Sequence, residues 1–407
     1  MALEECRDNK NASREIVARQ SLASLADNFS APYIGYYLAS LTSSGLLQGI
    51  LQFSVNSLPT TAQILLGPFL DKMGRYVLTL LITSITASLL WIVISLTTDP
   101  LHIVAIYTLR AVIVGLAGLS LTSFIGVFFI DARLRSRVLS LVTLASQLTA
   151  LIAFLIMGLL PISSVDILRT MFIISGLISL GASIIWFRLL KLDKCIAGSS
   201  GTRRQSFFGS IKTILKNKSF MKFDISFSAY ILVMSIAWPY FPMAQRNLYK
   251  MTVAELAILN ILGTLSTMIS QYILMRVIDR VSLKKIIIIG RAGFIIPPLF
   301  YAVSPNIELI YISNILTGPF SAIGNVAITL YVYETSIKGL QASHLAFLNF
   351  SQGITAAIGS LTGGVLMDWL LRSYGVDGLR IGFAISTVLR GLLTIPFLKI
   401  DDVRIKP

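Results

Sequence analysis

Apolar residues in this chain do not alternate with polar ones, and they are not confined to one helical stripe. They run in blocks of about twenty or more, broken by short polar or charged stretches. A helix needs about 20 mostly apolar residues to cross a bilayer core, and twelve blocks of that kind can be marked. In the first half they span 19–41, 45–69, 76–97, 101–130, 138–160 and 167–189; in the second, 219–243, 252–277, 285–303, 307–333, 342–368 and 378–398. Long, unalternating runs exclude strands, and in lipid only helices or closed barrels satisfy every backbone hydrogen bond. The pattern predicts an all-α membrane protein with twelve transmembrane helices.

Composition agrees: 55% of residues are hydrophobic and only 13% charged, and the mean hydropathy is +0.79. The formal charge of +15 invites a nucleic-acid reading, but its distribution argues against one. With both termini placed in the cytoplasm, only Arg169, Arg246, Lys250, Arg372 and Arg380 fall at the outer side, and only Arg110, Arg291 and Arg390 lie well inside segments, away from their ends. Every other Lys and Arg lies on the cytoplasmic side. This positive-inside asymmetry makes the basic balance a matter of topology and anionic lipid.

The first 18 residues lack an apolar core, so the first segment is expected to act as its own insertion signal. Cys6 and Cys195 both fall on the cytoplasmic side, where a structural disulfide is not expected. The sequons at Asn11, Asn28, Asn217 and Asn349 are cytoplasmic or within the membrane, so no glycosylation is assigned. A basic linker, 191–218, separates two six-helix halves, 1–190 and 219–407. It contains Gly198-Ser199-Ser200-Gly201, and its stretch Phe207 to Leu215 suits an amphipathic surface helix.

The halves echo each other. Gly67-Pro68-Phe69-Leu70-Asp71-Lys72-Met73-Gly74-Arg75 follows the second segment, and a degenerate copy, Met275-Arg276-Val277-Ile278-Asp279-Arg280, follows the eighth. Asp131 closes the fourth segment as Glu334 closes the tenth, and Phe29-Ser30-Ala31 in the first resembles Phe227-Ser228-Ala229 in the seventh. Three matches at nearly half the chain length argue for duplicated, pseudo-symmetric bundles.

Twelve segments, a basic central loop and Gly67-x-x-x-Asp71-Lys72-x-Gly74-Arg75 resemble the major facilitator superfamily of secondary transporters. The resemblance covers essentially the whole chain and implies two bundles rocking around a central site to give alternating access. It also implies that Asp71 caps the positive end of a neighbouring helix, expected to be the eleventh segment, and that Arg75 pairs with Asp131. Gly67 permits close backbone approach and Gly74 a tight turn. Such a latch closes the cytoplasmic side; topology and folding alone are the alternative reading. The second copy keeps Asp279, Arg280 and Glu334 but has Met275 in place of Gly67.

Ionisable groups inside segments cost roughly 2.5–3.5 kcal/mol each at a helix centre and mark cavities or partners. Asp27 lies about 12 Å from the cytoplasmic end of the first segment and Arg110 about 13 Å from the outer end of the fourth, which brings them to similar depth. They are the chosen proton-coupling and substrate pair, with a purely structural ion pair as the alternative. Arg110 also resembles the family's Arg-x-x-x-Gly motif, although Gly115 comes one residue late. Asp224 is the candidate counterpart of Asp27; Arg291 is expected to snorkel to the cytoplasmic surface; Arg390 has no assigned role.

Polar residues at helical spacing supply the rest of the expected cavity: Gln52 and Asn56 beside Gln48, Asn260 with Thr264 and Thr267, Asn325 with Thr317 and Ser321. Tyr36, Gln147 and Gln352 join them. For each, interhelical hydrogen bonding is the competing reading.

His102 and His344 are the only histidines, and no Walker, zincin or paired-carboxylate motif occurs. The chain reads as no enzyme, with no cofactor and no metal. The expected function is secondary transport of a small polar or anionic solute, coupled to protons, by a monomer in the cytoplasmic membrane. Efflux of lipophilic cationic drugs and a non-transporting sensor or scaffold are the alternatives.

Overall fold

The computed structural model describes residues 9–129, 131–159, 166–193, 207–277, 281–337 and 340–403, and these contain helices and no strand. In chain order the helices are α1 (Asn9–Asn28), α2 (Ile34–Leu41), α3 (Gly45–Asn56), α4 (Leu58–Met73), α5 (Tyr76–Leu96), α6 (Pro100–Phe128), α7 (Ala132–Leu159) and α8 (Asp166–Leu189). There follow α9 (Phe207–Leu215), α10 (Lys218–Ile236), α11 (Tyr240–Met243), α12 (Val253–Val277), α13 (Leu283–Gly293), α14 (Ile296–Val303), α15 (Ile307–Thr335), α16 (Gln341–Tyr374) and α17 (Gly378–Leu392). Among the described residues nine helical stretches are long and apolar enough to cross a membrane. Cys6, Cys195, the Gly198–Gly201 stretch, Asp279 and Arg280 lie outside the described residues.

The chain falls into two compact units. One comprises Met1–Leu41 and Leu58–Arg204; the other comprises Thr42–Ser57 and Gln205–Pro407. In the first, α5 packs on α6 and α8, α1 on α7 and α8, and α4 on α6. In the second, α16 packs on α10 and α3, and α15 on α12 and α13. The expected linker helix is present as α9, with Ile214 buried in the second unit's core. On α7, Leu141, Leu144, Leu148, Ile152, Leu155 and Leu159 are all exposed. Their spacing of three and four makes one apolar stripe of the kind that faces lipid.

Proline explains why several expected segments are broken. Pro lacks the N–H and its ring crowds the carbonyl four residues back, so α1 stops at Asn28, four before Pro32. It also starts at Asn9, ten residues earlier than the apolar run suggested, because its first turns are polar. Pro319 sits inside α15 and frees the Ile315 carbonyl, which accepts a hydrogen bond from Ser266 Oγ at 2.6 Å. Freed backbone groups in a membrane helix are tolerated when a neighbour re-satisfies them. Ser266→Ala is therefore expected to cost about 1–2 kcal/mol in a reversible detergent unfolding titration. Thr267→Ala should cost less, since that hydroxyl bonds only to Gly263 of its own helix. Equal losses would refute the carbonyl-rescue account.

Candidate functional site

In the first unit Asp27 lies in the last turn of α1, the negative end of the helix dipole, where an isolated carboxylate is disfavoured. Arg110 of α6 compensates by donating from Nη2 to Asp27 Oδ1. Trp91 of α5 donates from Nε1 to the same oxygen at 3.1 Å. The guanidinium stands 4.2 Å from the Trp91 ring centroid and 5.8 Å from that of Tyr107. Trp91 in turn stacks on Phe172 at 5.3 Å, and Tyr37 meets Phe172 edge-on. The pair is asymmetric: the Arg110 side chain is 6% exposed and the Asp27 side chain 42%. A dry arginine thus holds a carboxylate that water and ions still reach. The sequence expected these two at similar depth, and they meet here; it could not show Trp91, which fixes the carboxylate oxygen.

Gly115 has a packing role in this unit. A Cβ there would lie 2.4 Å from the Pro59 carbonyl oxygen, so the glycine lets α6 cross the start of α4. A second arginine absent from the sequence reasoning, Arg19, is buried in α1; it donates to Ser84 Oγ at 2.5 Å and stands 5.2 Å from the Trp186 ring.

The second unit departs from expectation at Arg291. Instead of snorkelling outward it is 4% exposed, and its guanidinium lies 4.9, 5.1 and 5.4 Å from the ring centroids of Phe227, Phe294 and Tyr230. The three rings supply a cation–π enclosure that a long snorkel would forfeit. Arg291 borders a cavity of 380 Å³ whose lining includes Ser321, Gly324, Asn349 and Gln352. Arg390 gains a role: it is 1% exposed and donates to the carbonyls of Phe294 at 2.7 Å and Met234 at 2.9 Å. Both carbonyls sit where helices are interrupted, α13 before Pro297-Pro298 and α10 before Pro239. Asp224 is buried and accepts from Ser351 Oγ at 2.6 Å.

Among the other expected site residues, Asn56 donates to the Gln52 side chain at 3.2 Å, so these two satisfy each other on α3. Tyr36 is buried in α2. Gln147 on α7 and Asn260 on α12 are half-buried. Gln352 borders the Arg291 cavity. The side chain of Asn325 lies outside the described residues.

The Gly67–Arg75 motif spans the end of α4 and the turn into α5. Gly74 adopts φ +59°, the left-handed turn that favours glycine. The side chains of Asp71 and Lys72 lie outside the described residues, as does the surrounding of Gly67. Arg75 is exposed, and among the described residues no ion pair joins it to Asp131. The carboxylate it acts on is Asp193. Asp131 and Glu334 are both exposed at helix ends. Among the described residues, two aspartates that the sequence did not single out cap helix starts. Asp193 accepts from the Val77 and Leu78 N–H groups, both at 2.8 Å, at the start of α5. Asp368 accepts from Gly45 at 2.5 Å and Leu46 at 3.0 Å at the start of α3. Each satisfies orphan donors and meets the positive dipole end. Burial nevertheless pushes the Asp193 carboxyl above its usual range, against those donors and Arg75. Neither residue carries a sequence signal beyond an acid near a helix end.

Residues 223–406 match the Major Facilitator Superfamily. The match falls in the second half of the chain, which is similar to that superfamily. The chain's whole length also carries the fold of solved transporters. Nucleoside transporter NupG aligns over 96% of this chain and 99% of its own, with TM-score 0.77 at 13% identity. A bacterial homologue of the human lysosomal transporter Spinster, solved inward-facing and unoccupied, aligns over 98% of each chain, with TM-score 0.69 at 12% identity. A POT family transporter solved with a thioalcohol-conjugated peptide aligns over 94% of this chain and 96% of its own, with TM-score 0.66 at 12% identity. No curated protein matches the chain by sequence. At these identities the structural matches speak for the fold, and the similarity to the facilitator superfamily rests on the family match over residues 223–406.

Proposed function

We propose that this chain is a secondary transporter of small polar or anionic solutes, working by alternating access with proton coupling. The polypeptide crosses the cytoplasmic membrane twelve times as a monomer, with both termini inside and α1–α2, α3–α4, α10–α11, α13–α14 and the other long helices each making one passage. The observation that carries the solute class is the sign of the buried charge. Among described side chains less than a tenth exposed stand four arginines, Arg19, Arg110, Arg291 and Arg390, against two aspartates, Asp193 and Asp224. Asp193 caps a helix and Asp224 is held by Ser351, so neither offers a free carboxylate to a lipophilic cation. The excess favours an anionic guest, because a desolvated cation is stabilised by an opposite charge.

Asp27 suits the coupling role. Its carboxylate is reachable, and its charge is held by Arg110 and Trp91. A solute that drew Arg110 away would leave Asp27 at a helix C-terminus without its cation, and the coupling proton would take that cation's place. Release of the solute would restore the pair and expel the proton.

The test is flux in proteoliposomes under an imposed pH gradient, with organic anions, neutral polar solutes and lipophilic cations offered in turn. Wild type should accumulate an anion only with the gradient. Asp27→Asn should lose gradient-driven accumulation while keeping exchange of labelled for unlabelled solute. Gradient-driven accumulation that survives in Asp27→Asn would remove the residue from coupling. Accumulation of cations alone would favour drug efflux, and no flux of any class would favour a sensor or scaffold.

A further inference from the structure

We propose that the cavity bordered by Arg291 is a binding site for an organic monoanion, with the carboxylate or equivalent group held in the plane of the Arg291 guanidinium. The identity of the solute class rests on the transport reading above; the site itself does not. Arg291 comes from α13, where its side chain was expected to reach the surface, and nothing in the sequence pattern points to it as a ligand-binding residue.

The geometry of the guanidinium leaves one direction open. Phe227, Phe294 and Tyr230 surround the Arg291 guanidinium with their rings, yet ring contacts do not use the N–H donors that lie in its plane. Nε is buried without an acceptor, and among the described residues no carboxylate forms an ion pair with this side chain. Tyr230 donates its hydroxyl to the Arg291 backbone carbonyl at 2.7 Å. The nearby carbonyl of Phe294 is already taken by Arg390. Asp224, on the same helix as Phe227 and Tyr230, is engaged by Ser351. Five donors in a rigid fork match a carboxylate bidentately, and a buried cation with unused donors is the group that gains most from such a partner.

The cavity sets the rest of the guest. Its 380 Å³ lies at the small end of ligand-sized sites. Beside Arg291 its wall includes Phe294, Ile328, Leu345 and Leu348, with Asn349 and Gln352 as polar groups. An inorganic anion would leave the apolar wall unused, whereas an aliphatic or aromatic carboxylate covers it. Gly324 belongs to the same design: a Cβ there would lie 2.8 Å from Arg291 Nη2, so the glycine makes room for the guanidinium.

The experiment uses the purified full-length protein and equilibrium binding of radiolabelled benzoate and hexanoate, with benzamide, hexanamide and inorganic phosphate as competitors. The carboxylates should bind, their amides should compete poorly, and phosphate should compete poorly. Arg291→Gln should weaken carboxylate binding about a hundredfold, the equivalent of a lost charge-assisted pair. Should Arg291→Gln fail to fold, Gly324→Ala keeps the charge, displaces its tip, and should weaken binding at least tenfold. Undiminished carboxylate binding in either folded variant would overturn the site, and so would phosphate competing as well as the carboxylates. Flux separates this from the functional reading. Carboxylate binding lost in Arg291→Gln with no flux in wild type would keep the site and sink transport; wild-type anion flux unchanged in Arg291→Gln would keep transport and sink the site.

Discussion

Arg390→Met should destabilise the protein by several kcal/mol, more than any other single replacement of a buried charge here. The substitution keeps much of the side-chain volume but removes donors to the carbonyls of Phe294 and Met234. Phe294 lies four residues before Pro298, which has no N–H to offer it, and Trp238, four residues after Met234, bonds to Ser235 instead. Each carbonyl left unsatisfied in a dry interior costs about 1–3 kcal/mol, so two cost about 2–6 kcal/mol. Relief from burying a guanidinium offsets part of this. Arg390→Lys is the sharper comparison, since one ammonium on a flexible stem should reach one of the two carbonyls and recover about half the loss. A fluorescence-detected thermal or denaturant unfolding series in detergent measures both. If Arg390→Met unfolds like wild type, the two helix interruptions are held by something else.

The same residue shows what the sequence could and could not reveal. The blocks of apolar residues announced membrane helices because backbone hydrogen bonding in lipid leaves few alternatives, and helix identity followed for nearly every block. The positions of breaks were legible only in outline. Pro32, Pro239, Pro297 and Pro298 are visible in the sequence, yet which groups would satisfy the freed carbonyls depends on tertiary neighbours far away in the chain. Asp27 and Arg110 were legible because charge in a hydrophobic block is costly and rise per residue gives depth. Arg291 was misread because Lys284 and Lys285, six and seven residues before it, suggest a surface location, and sequence spacing does not reveal the Phe227, Tyr230 and Phe294 rings that enclose it. The helix-capping aspartates were missed for a related reason. An acid near a helix end is common, and only the structure shows that Asp193 and Asp368 meet N–H groups of helices remote in sequence.

Gly363→Leu is expected to abolish recovery of folded, monodisperse protein, and Gly363→Ala to lower the unfolding midpoint sharply. On α16 the glycines at 359 and 363 share one face, and it is the face on which α10 lies. A Cβ at Gly363 would sit 2.1 Å from the Ile236 carbonyl oxygen, and one at Gly359 2.1 Å from that of Leu232. Both obstacles are backbone, so no rotamer change clears them, and the helices must separate. Extra methylenes in a packed core cost about 1–3 kcal/mol when side chains can shift; here the shift falls on two helix axes, and the small-residue packing that holds helices together in lipid is lost along with it. Separation would also carry the Met234 carbonyl away from Arg390, coupling this crossing to the helix break beside the Arg291 cavity. Gly181→Ala on α8 is the control, since a Cβ there meets nothing within 4 Å; it should be neutral or stabilising by up to about 1 kcal/mol, the helix propensity difference between the two residues. Comparable midpoints for Gly363→Ala and Gly181→Ala would mean that the α10–α16 crossing tolerates a methyl group and is looser than the 2.1 Å approach implies. A deep loss at 363 alone would establish this crossing as the close contact on which the second unit is assembled.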